Sequence, residues 1–365
     1  MKIGRTLLVL GTIAGVGCLE LYAARRRRTA NRSMFVHDIR KGSSGLTRYA
    51  SKNSTLSHTV RLALQLREFS PWGFLQALAV PTLTVARRRS RGRNKNADSS
   101  LAGKVVVITG GSRGLGLALA EEFARNGAKL VLAARDADEL TRACTQLLKL
   151  GTGLREQDIE TIPCDLTDSE QAAKMIAFAT GRFGQIDILV NNAGIISVGP
   201  LEDQPEEAFK RAIGSNYYTM LHSTLAALPQ MLERQNGSIV NITSIGGKLA
   251  VPHMLPYSAS KFAALGFSQG LHAELRGKGI RVTTVCPGLM RTGSHTQALF
   301  TGDREREYRW FSLSASLPWV STSARAAARK IVRAAAEGRT EITITPQALL
   351  AATFAQALPE WTAML

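Results

Sequence analysis

The chain has 365 residues, 46 Lys+Arg against 28 Asp+Glu for a formal charge of +18, and 45% hydrophobic side chains. Residues 1–100 carry 19 basic and four acidic side chains, so the excess belongs to an N-terminal extension and the remaining 265 residues are nearly neutral. That placement excludes a nucleic-acid-binding fold as the source of the basicity, and the composition excludes a disordered or collagen-like chain.

Thr6 to Ala24, TLLVLGTIAGVGCLELYAA, is a nineteen-residue run with one charge, Glu20. As a helix it would extend about 28 Å, close to the hydrocarbon thickness of a bilayer. Arg25, Arg26, Arg27 and Arg28 follow it at once, against Lys2 and Arg5 before it. The positive-inside rule then predicts a single-pass anchor with the body on the cytoplasmic side. A cleaved signal peptide competes with this reading, although Leu21-Tyr22-Ala23 makes a poor cleavage site, and a helix lying loosely at the interface is the bland alternative. In residues 29–100, Leu56, Val60, Leu62, Ala63, Leu64, Leu66 and Phe69 recur at near-helical spacing until Pro71-Trp72-Gly73-Phe74 breaks the pattern. A membrane-surface helix and simple packing on the body both fit. The polar run 86–100 carries Arg87, Arg88, Arg89, Arg91, Arg93 and Lys95. It is a solvated linker or a contact with anionic lipid, worth about 1 kcal/mol per basic residue near the surface. The organisation expected is an anchor with its basic flank (1–28), a linker region (29–100), a body (101–345) and an apolar C-terminal helix (346–365).

In the body, apolar β-rich runs recur at 104–109, 129–134, 160–164, 186–191, 238–243, 281–286 and 341–345, with helical stretches between. Near-continuous apolar strands alternating with helices predict a parallel sheet of about seven strands covered on both faces, the doubly wound α/β class. The first strand runs into Thr109-Gly110-Gly111-Ser112-Arg113-Gly114-Leu115-Gly116 and then into a helix. Glycines there allow a tight turn, close approach of a pyrophosphate and helix packing, with the helix N-terminus facing the phosphates of a dinucleotide. Cys18, Cys144, Cys164 and Cys286 are far apart without a CxxC pair, so neither a zinc site nor a disulfide framework is expected. His222, His253, His272 and His295 lack metal-ligand spacing and receive no metal or catalytic role.

The Gly-x-x-x-Gly-x-Gly turn, Asp165 after the third strand, Asn191-Asn192-Ala193-Gly194 after the fourth, Ser244 after the fifth, Tyr257-Ser258-Ala259-Ser260-Lys261 on the next helix and Pro287-Gly288 after the sixth arrive in one order. Over residues 104 to about 292 this set resembles the short-chain dehydrogenase/reductase family, here in a membrane-anchored form with a Rossmann-like sheet. Tyr257 and Lys261 stand four apart, so on a helix they share a face, and a neighbouring ammonium is expected to lower the phenol pKa toward working pH. The resemblance implies that Ser244 hydrogen-bonds a substrate carbonyl, Tyr257 donates the proton in reduction, and Lys261 tunes Tyr257 while holding the cofactor ribose. Asn216 matches the family's proton-relay asparagine; equally, Ser215 and Asn216 fit the cap of the following helix. It also implies cofactor contacts at Gly110, Ser112, Arg113, Gly114, Leu115, Gly116, Arg135, Asp165, Asn192, Ala193, Gly194, Pro287, Gly288 and Thr292, besides Tyr257 and Lys261.

An NAD site carries an acid at the end of the second strand, whereas an arginine there accommodates the 2′-phosphate of NADP. Ala134 stands at the acidic position and Arg135 follows; with Arg113 this points to NADP(H) over NAD, while a two-residue register slip would bring Asp136 to the ribose. The segment after Gly288 holds Leu299, Phe300, Trp310, Phe311, Leu313, Leu317 and Trp319, which read either as a greasy lid over a lipid, steroid-like or long-chain substrate or as plain packing. The tail after Pro346 is apolar nearly all round and is expected to be a buried helix, an interfacial helix or a subunit contact. Family members commonly form dimers or tetramers. Two other classes compete with an enzyme: a catalytically silent NADP-binding sensor or scaffold, and a membrane-surface adaptor. Neither needs Ser244, Tyr257 and Lys261 together.

Overall fold

The computed structural model describes residues 101–316, 321–358 and 360. The expected anchor (1–28) and linker region (29–100), with Leu317, Trp319 and the last five residues, lie outside the described residues. Among the described residues, no helix is long and apolar enough to cross a membrane.

The elements are β1 (Val105–Thr109), α1 (Gly114–Arg125), β2 (Lys129–Ala134), α2 (Ala137–Leu148), β3 (Ile159–Pro163), α3 (Ser169–Phe183), β4 (Ile188–Asn191), β5 (Ser197–Val198), α4 (Glu206–Ile213), α5 (Thr219–Glu233), β6 (Gly237–Ile242), α6 (Leu255–Leu275), β7 (Ile280–Cys286), β8 (Met290–Arg291), β9 (Leu299–Phe300), α7 (Arg304–Ser316), β10 (Thr322–Ser323), α8 (Ala324–Ala336), β11 (Glu341–Thr343) and α9 (Pro346–Ala357). Seven strands form one sheet in the order β11-β7-β6-β4-β1-β2-β3, parallel throughout. These are the seven apolar runs expected from the sequence. Because side chains alternate across a strand, Val106 and Ile108 of β1 join one core, with α1, α2 and α8, while Val107 joins the other, with α3 and α5. Both faces are covered, which is why these strands read as unbroken apolar runs rather than alternating ones.

Capping residues fix where helices begin. Asp136 accepts the Glu139 amide at the start of α2, Asp168 the Glu170 amide at α3, Ser323 the Ala326 amide at α8, and Thr345 the Ala348 amide at α9. A π turn over Gly214–Tyr218 joins α4 to α5 without breaking the helical path. Strand order reverses between β1 and β4, so the loops leaving these two strands part and open a crevice at their carboxyl ends.

α9 departs from a buried helix: only Ala348 and Ala352 are buried, while Leu349, Leu350 and Phe354 face outward. The expected greasy segment also divides. Phe311 packs into a small core with Val198 and Met254, Leu299 and Phe300 form β9 against β5, and Leu299 and Trp310 are exposed.

Candidate active site

β1 ends in Thr109, and the chain then turns through Gly110 and Gly114 at φ +64° and +56°, in the left-handed region that favours glycine. A Cβ on Gly116 would lie 2.0 Å from the Gly110 carbonyl oxygen, so α1 packs on the turn only without a side chain there. No side chain caps α1, whose N-cap residue is Arg113. Its first amides therefore keep their capacity for an anion. Thr109 Oγ1 accepts the amides of Asn192 (2.9 Å) and Ala193 (3.0 Å), and Asn192 Nδ2 donates to the carbonyls of Thr109 and Gly110, both at 3.0 Å. These bonds clamp the loop after β4 onto the glycine turn. Thr109 was missed from the sequence, where only the facing Asn-Asn-Ala-Gly hinted at a partner.

A cleft of about 1210 Å³ runs along the carboxyl ends of the strands. Every site residue expected from the sequence lines it except Gly116, which packs behind the turn. At the end of β2, Ala134 pairs with Pro163, and Arg135 follows as an exposed residue on the cleft wall. Asp136 caps α2, taking the Glu139 amide on Oδ1 at 2.9 Å, and also lines the cleft beside Arg135. Beside it Glu139 accepts Ser112 Oγ at 3.0 Å and pairs with Arg113 Nη1 at 2.5 Å. Sequence reading missed Glu139 altogether. Asp165 Oδ1 takes both the amide and the hydroxyl of Thr167, at 2.9 and 2.8 Å.

At the other end, Ser244 follows β6 and its Oγ accepts the Gly246 amide at 3.0 Å, so its one hydroxyl hydrogen remains for the Tyr257 phenol or a substrate oxygen. Tyr257 and Lys261 face the cleft from the first turns of α6. Lys261 Nζ donates to the Ile242 carbonyl at 3.3 Å and stands 5.8 Å from the Tyr257 ring centroid. Burial pushes the Lys261 ammonium down to about 8. Burial also pushes the Tyr257 phenol up, with a hydrogen bond to Ser244 pulling the other way. The sequence expectation of a lowered phenol pKa is thus corrected: loss of water around the phenolate outweighs the Ser244 hydrogen bond.

Asn216 sits in the π turn and is buried. Its Nδ2 donates to the Ile195 carbonyl (3.1 Å) and to Ser260 Oγ (2.9 Å), and its Oδ1 accepts the Ile195 amide at 3.0 Å. The helix-cap reading of Asn216 is therefore corrected, because the chain is helical on both sides of it. A Cβ on Gly194 would lie 2.4 Å from Asn216 Oδ1, which explains glycine there. Gly288 lines the cleft as expected of a site residue, and it has a packing role besides. A Cβ on it would meet Thr345 Oγ1 at 2.6 Å and Ala348 Cβ at 2.9 Å, so its bareness lets α9 close on the cleft, which Gln347, Ala348 and Ala351 then line. Met254, Val251, Trp310 and Phe311 give the chemical end an apolar wall.

The short chain dehydrogenase family model matches residues 104–301. Among curated proteins, dehydrogenase/reductase SDR family protein 7-like from Anopheles gambiae is 39% identical over 222 residues, covering 61% of this chain and 70% of that one. Among solved structures, a short chain dehydrogenase/reductase from Burkholderia phymatum in complex with NAD is 28% identical with a TM-score of 0.66, covering 72% of this chain and 96% of that one. ElxO with NADP bound is 27% identical with a TM-score of 0.58, covering 68% of this chain and 99% of that one. The chain accordingly belongs to the short-chain dehydrogenase/reductase family and is an oxidoreductase that acts on CH–OH groups with a nicotinamide cofactor.

Proposed function

We propose that the protein uses NADP(H) to interconvert a hydrophobic ketone, of the lipid, steroid-like or long-chain kind, and its secondary alcohol. The observation that carries this reading is one cleft with Ser244, Tyr257 and Lys261 at one end and Arg113 and Arg135 at the other. The uncapped start of α1 and the turn through Gly110 and Gly114 fit a pyrophosphate, and Asp165, Ala193 and Thr292 complete the wall. Arg135 with no acid at Ala134 favours the 2′-phosphate. The apolar wall at Met254 and Phe311 favours a hydrophobic substrate.

Bound there, the nicotinamide supplies a hydride in reduction and accepts one in oxidation. Ser244 Oγ donates a hydrogen bond to the carbonyl oxygen and so holds it against Tyr257. Tyr257 Oη gives that oxygen a proton in reduction and removes it in oxidation; its raised pKa keeps the acid form present at neutral pH. Lys261 holds the ribose hydroxyls and offsets the phenolate charge as it forms. Asn216, tied to Ser260 and Ile195, keeps the π turn in register with α6. We further infer that residues 6–24 anchor the chain as a single pass with the body on the cytoplasmic side, and that the protein assembles as a dimer or tetramer.

The test follows cofactor absorbance with detergent-solubilised protein, NADPH or NADH, and ketones from small diketones to long-chain and steroidal ones. NADPH-dependent turnover that rises with apolar substrate size is expected. Tyr257→Phe should lower it by about 10³-fold while NADPH binding is kept. NADPH binding without turnover of any ketone or alcohol would instead favour a sensor or scaffold.

A further inference from the structure

We propose that Glu139 is a specificity-determining residue for the cofactor, holding Ser112 and Arg113 in a clamp that a 2′-phosphate has to open. The proposal deepens the reading of the cleft as a dinucleotide site with these residues at its ribose end, and rests on it.

Glu139 is the third residue of α2, and its backbone is pinned because its own amide donates to the capping carboxylate of Asp136 at 2.9 Å. Its side chain crosses to the glycine turn. One carboxylate oxygen accepts Ser112 Oγ at 3.0 Å and the other pairs with Arg113 Nη1 at 2.5 Å. The carboxylate is the more sheltered partner, 19% exposed against 51% for the arginine. All three line the cleft beside Arg135, which has no ion pair among the described residues.

This arrangement divides the two arginines. Arg135 offers a full charge to an incoming phosphate. Arg113 has one donor already committed, and so has Ser112, to a negative group. A 2′-phosphate entering among Ser112, Arg113 and Arg135 competes with the Glu139 carboxylate for the same donors and is repelled by it, since two anions share the donors. A cofactor with a free 2′-hydroxyl brings no anion to this point and leaves the clamp closed. Glu139 therefore weakens NADP(H) and spares NAD(H), and the preference of the cleft is the balance between Arg135 and this carboxylate.

The test measures dissociation constants of NADPH and NADH for the full chain by calorimetry, with adenosine 2′,5′-bisphosphate and AMP as probes of the 2′-phosphate alone. Glu139→Gln keeps shape and hydrogen-bonding capacity but removes the charge; Asp138→Asn removes a charge from the same first turn of α2. The expected result is NADPH and the bisphosphate bound about three- to tenfold more tightly by Glu139→Gln, with NADH and AMP within about twofold. Asp138→Asn should leave the NADPH to NADH ratio within about twofold of wild type. An unchanged ratio in Glu139→Gln, a weaker NADPH, or an equal shift in Asp138→Asn overturns the assignment. Glu139→Ser gives the same reading if Glu139→Gln does not fold. A wild-type chain that binds NADH more tightly than NADPH overturns the NADP preference proposed above; a ratio that moves toward NADPH in Glu139→Gln supports the role of Glu139 in that case too.

Discussion

Burial brings the Lys261 ammonium down to about 8 from an ordinary 10.5, so between these values the unfolded chain binds more protons than the folded one. The sign follows: the fold bears the full cost of a buried ammonium below about pH 8, and stability from this group rises as pH climbs through the window. Catalysis runs the other way. In the proposed mechanism Lys261 must be charged to offset the Tyr257 phenolate, and because burial pushes Tyr257 up, it is Lys261 that loses its proton first as pH rises. The expected profile of kcat/KM for ketone reduction is level below about pH 8 and falls above it. A profile that stays level to the top of that window would remove Lys261 charge from the rate. The spacing of Tyr257 and Lys261 was legible because four residues on a helix place two side chains on one face. The direction of the Tyr257 shift was not, because it depends on how much water the cleft wall excludes. Glu139 was illegible for a related reason: nothing local says that its side chain turns toward Ser112 and Arg113, which lie on another element.

At the scale of elements, the seven main-sheet strands could be read because sheets covered on both faces leave long apolar runs. The placement of α9 could not. A helix apolar on every side carries no sign of which face docks, and that choice falls to Gly288, whose lack of a side chain admits Thr345 and Ala348. The π turn at Asn216 likewise leaves no pattern in the sequence. α7 was seen only as apolar residues, yet a polar contact ties it down. Glu307, buried in α7, accepts or pairs with His253 Nδ1 at 2.9 Å, and His253 holds a left-handed φ of +62° just before α6. A non-glycine residue in that conformation is uncommon and persists where its surroundings hold it. Removing the carboxylate with Glu307→Ala is expected to free α7 from the segment that precedes Tyr257. Trypsin should then cut at Arg304, Arg306 or Arg309 at least about fivefold faster under native conditions, with the global melting temperature changed by only a few degrees, about 1–2 kcal/mol. Equal cleavage rates would show that the apolar packing of Phe311 alone holds α7.

At the scale of the molecule, two apolar features ask for a partner. On α5 and α6, Leu225 and Phe262 are 54% and 45% exposed. If these helices form the subunit contact, light scattering will give a dimer or tetramer for the wild type and a smaller species for Leu225→Glu with Phe262→Glu; a wild-type monomer excludes it. The second is known from the sequence alone, the apolar run 6–24, and its binding is separable from that of the basic stretch 87–95 by how each mode responds to salt and charge. Arginines near a bilayer act through a screened field whose range shrinks from about 10 Å at 0.1 M salt to about 3 Å at 1 M. A crossing helix is held by hydrocarbon burial, which salt does not weaken. The full chain in membranes is therefore expected to resist both molar salt and alkaline carbonate. Val9→Arg with Val16→Arg places two charges inside the run, each costing about 2.5–3.5 kcal/mol toward the middle of a spanning helix. That variant should fall back on the basic stretch alone and wash off in molar salt, more readily from neutral than from anionic vesicles. Salt release of the unaltered chain would mean that residues 6–24 do not cross, and the apolar wall of the cleft would then have to meet its substrate from water.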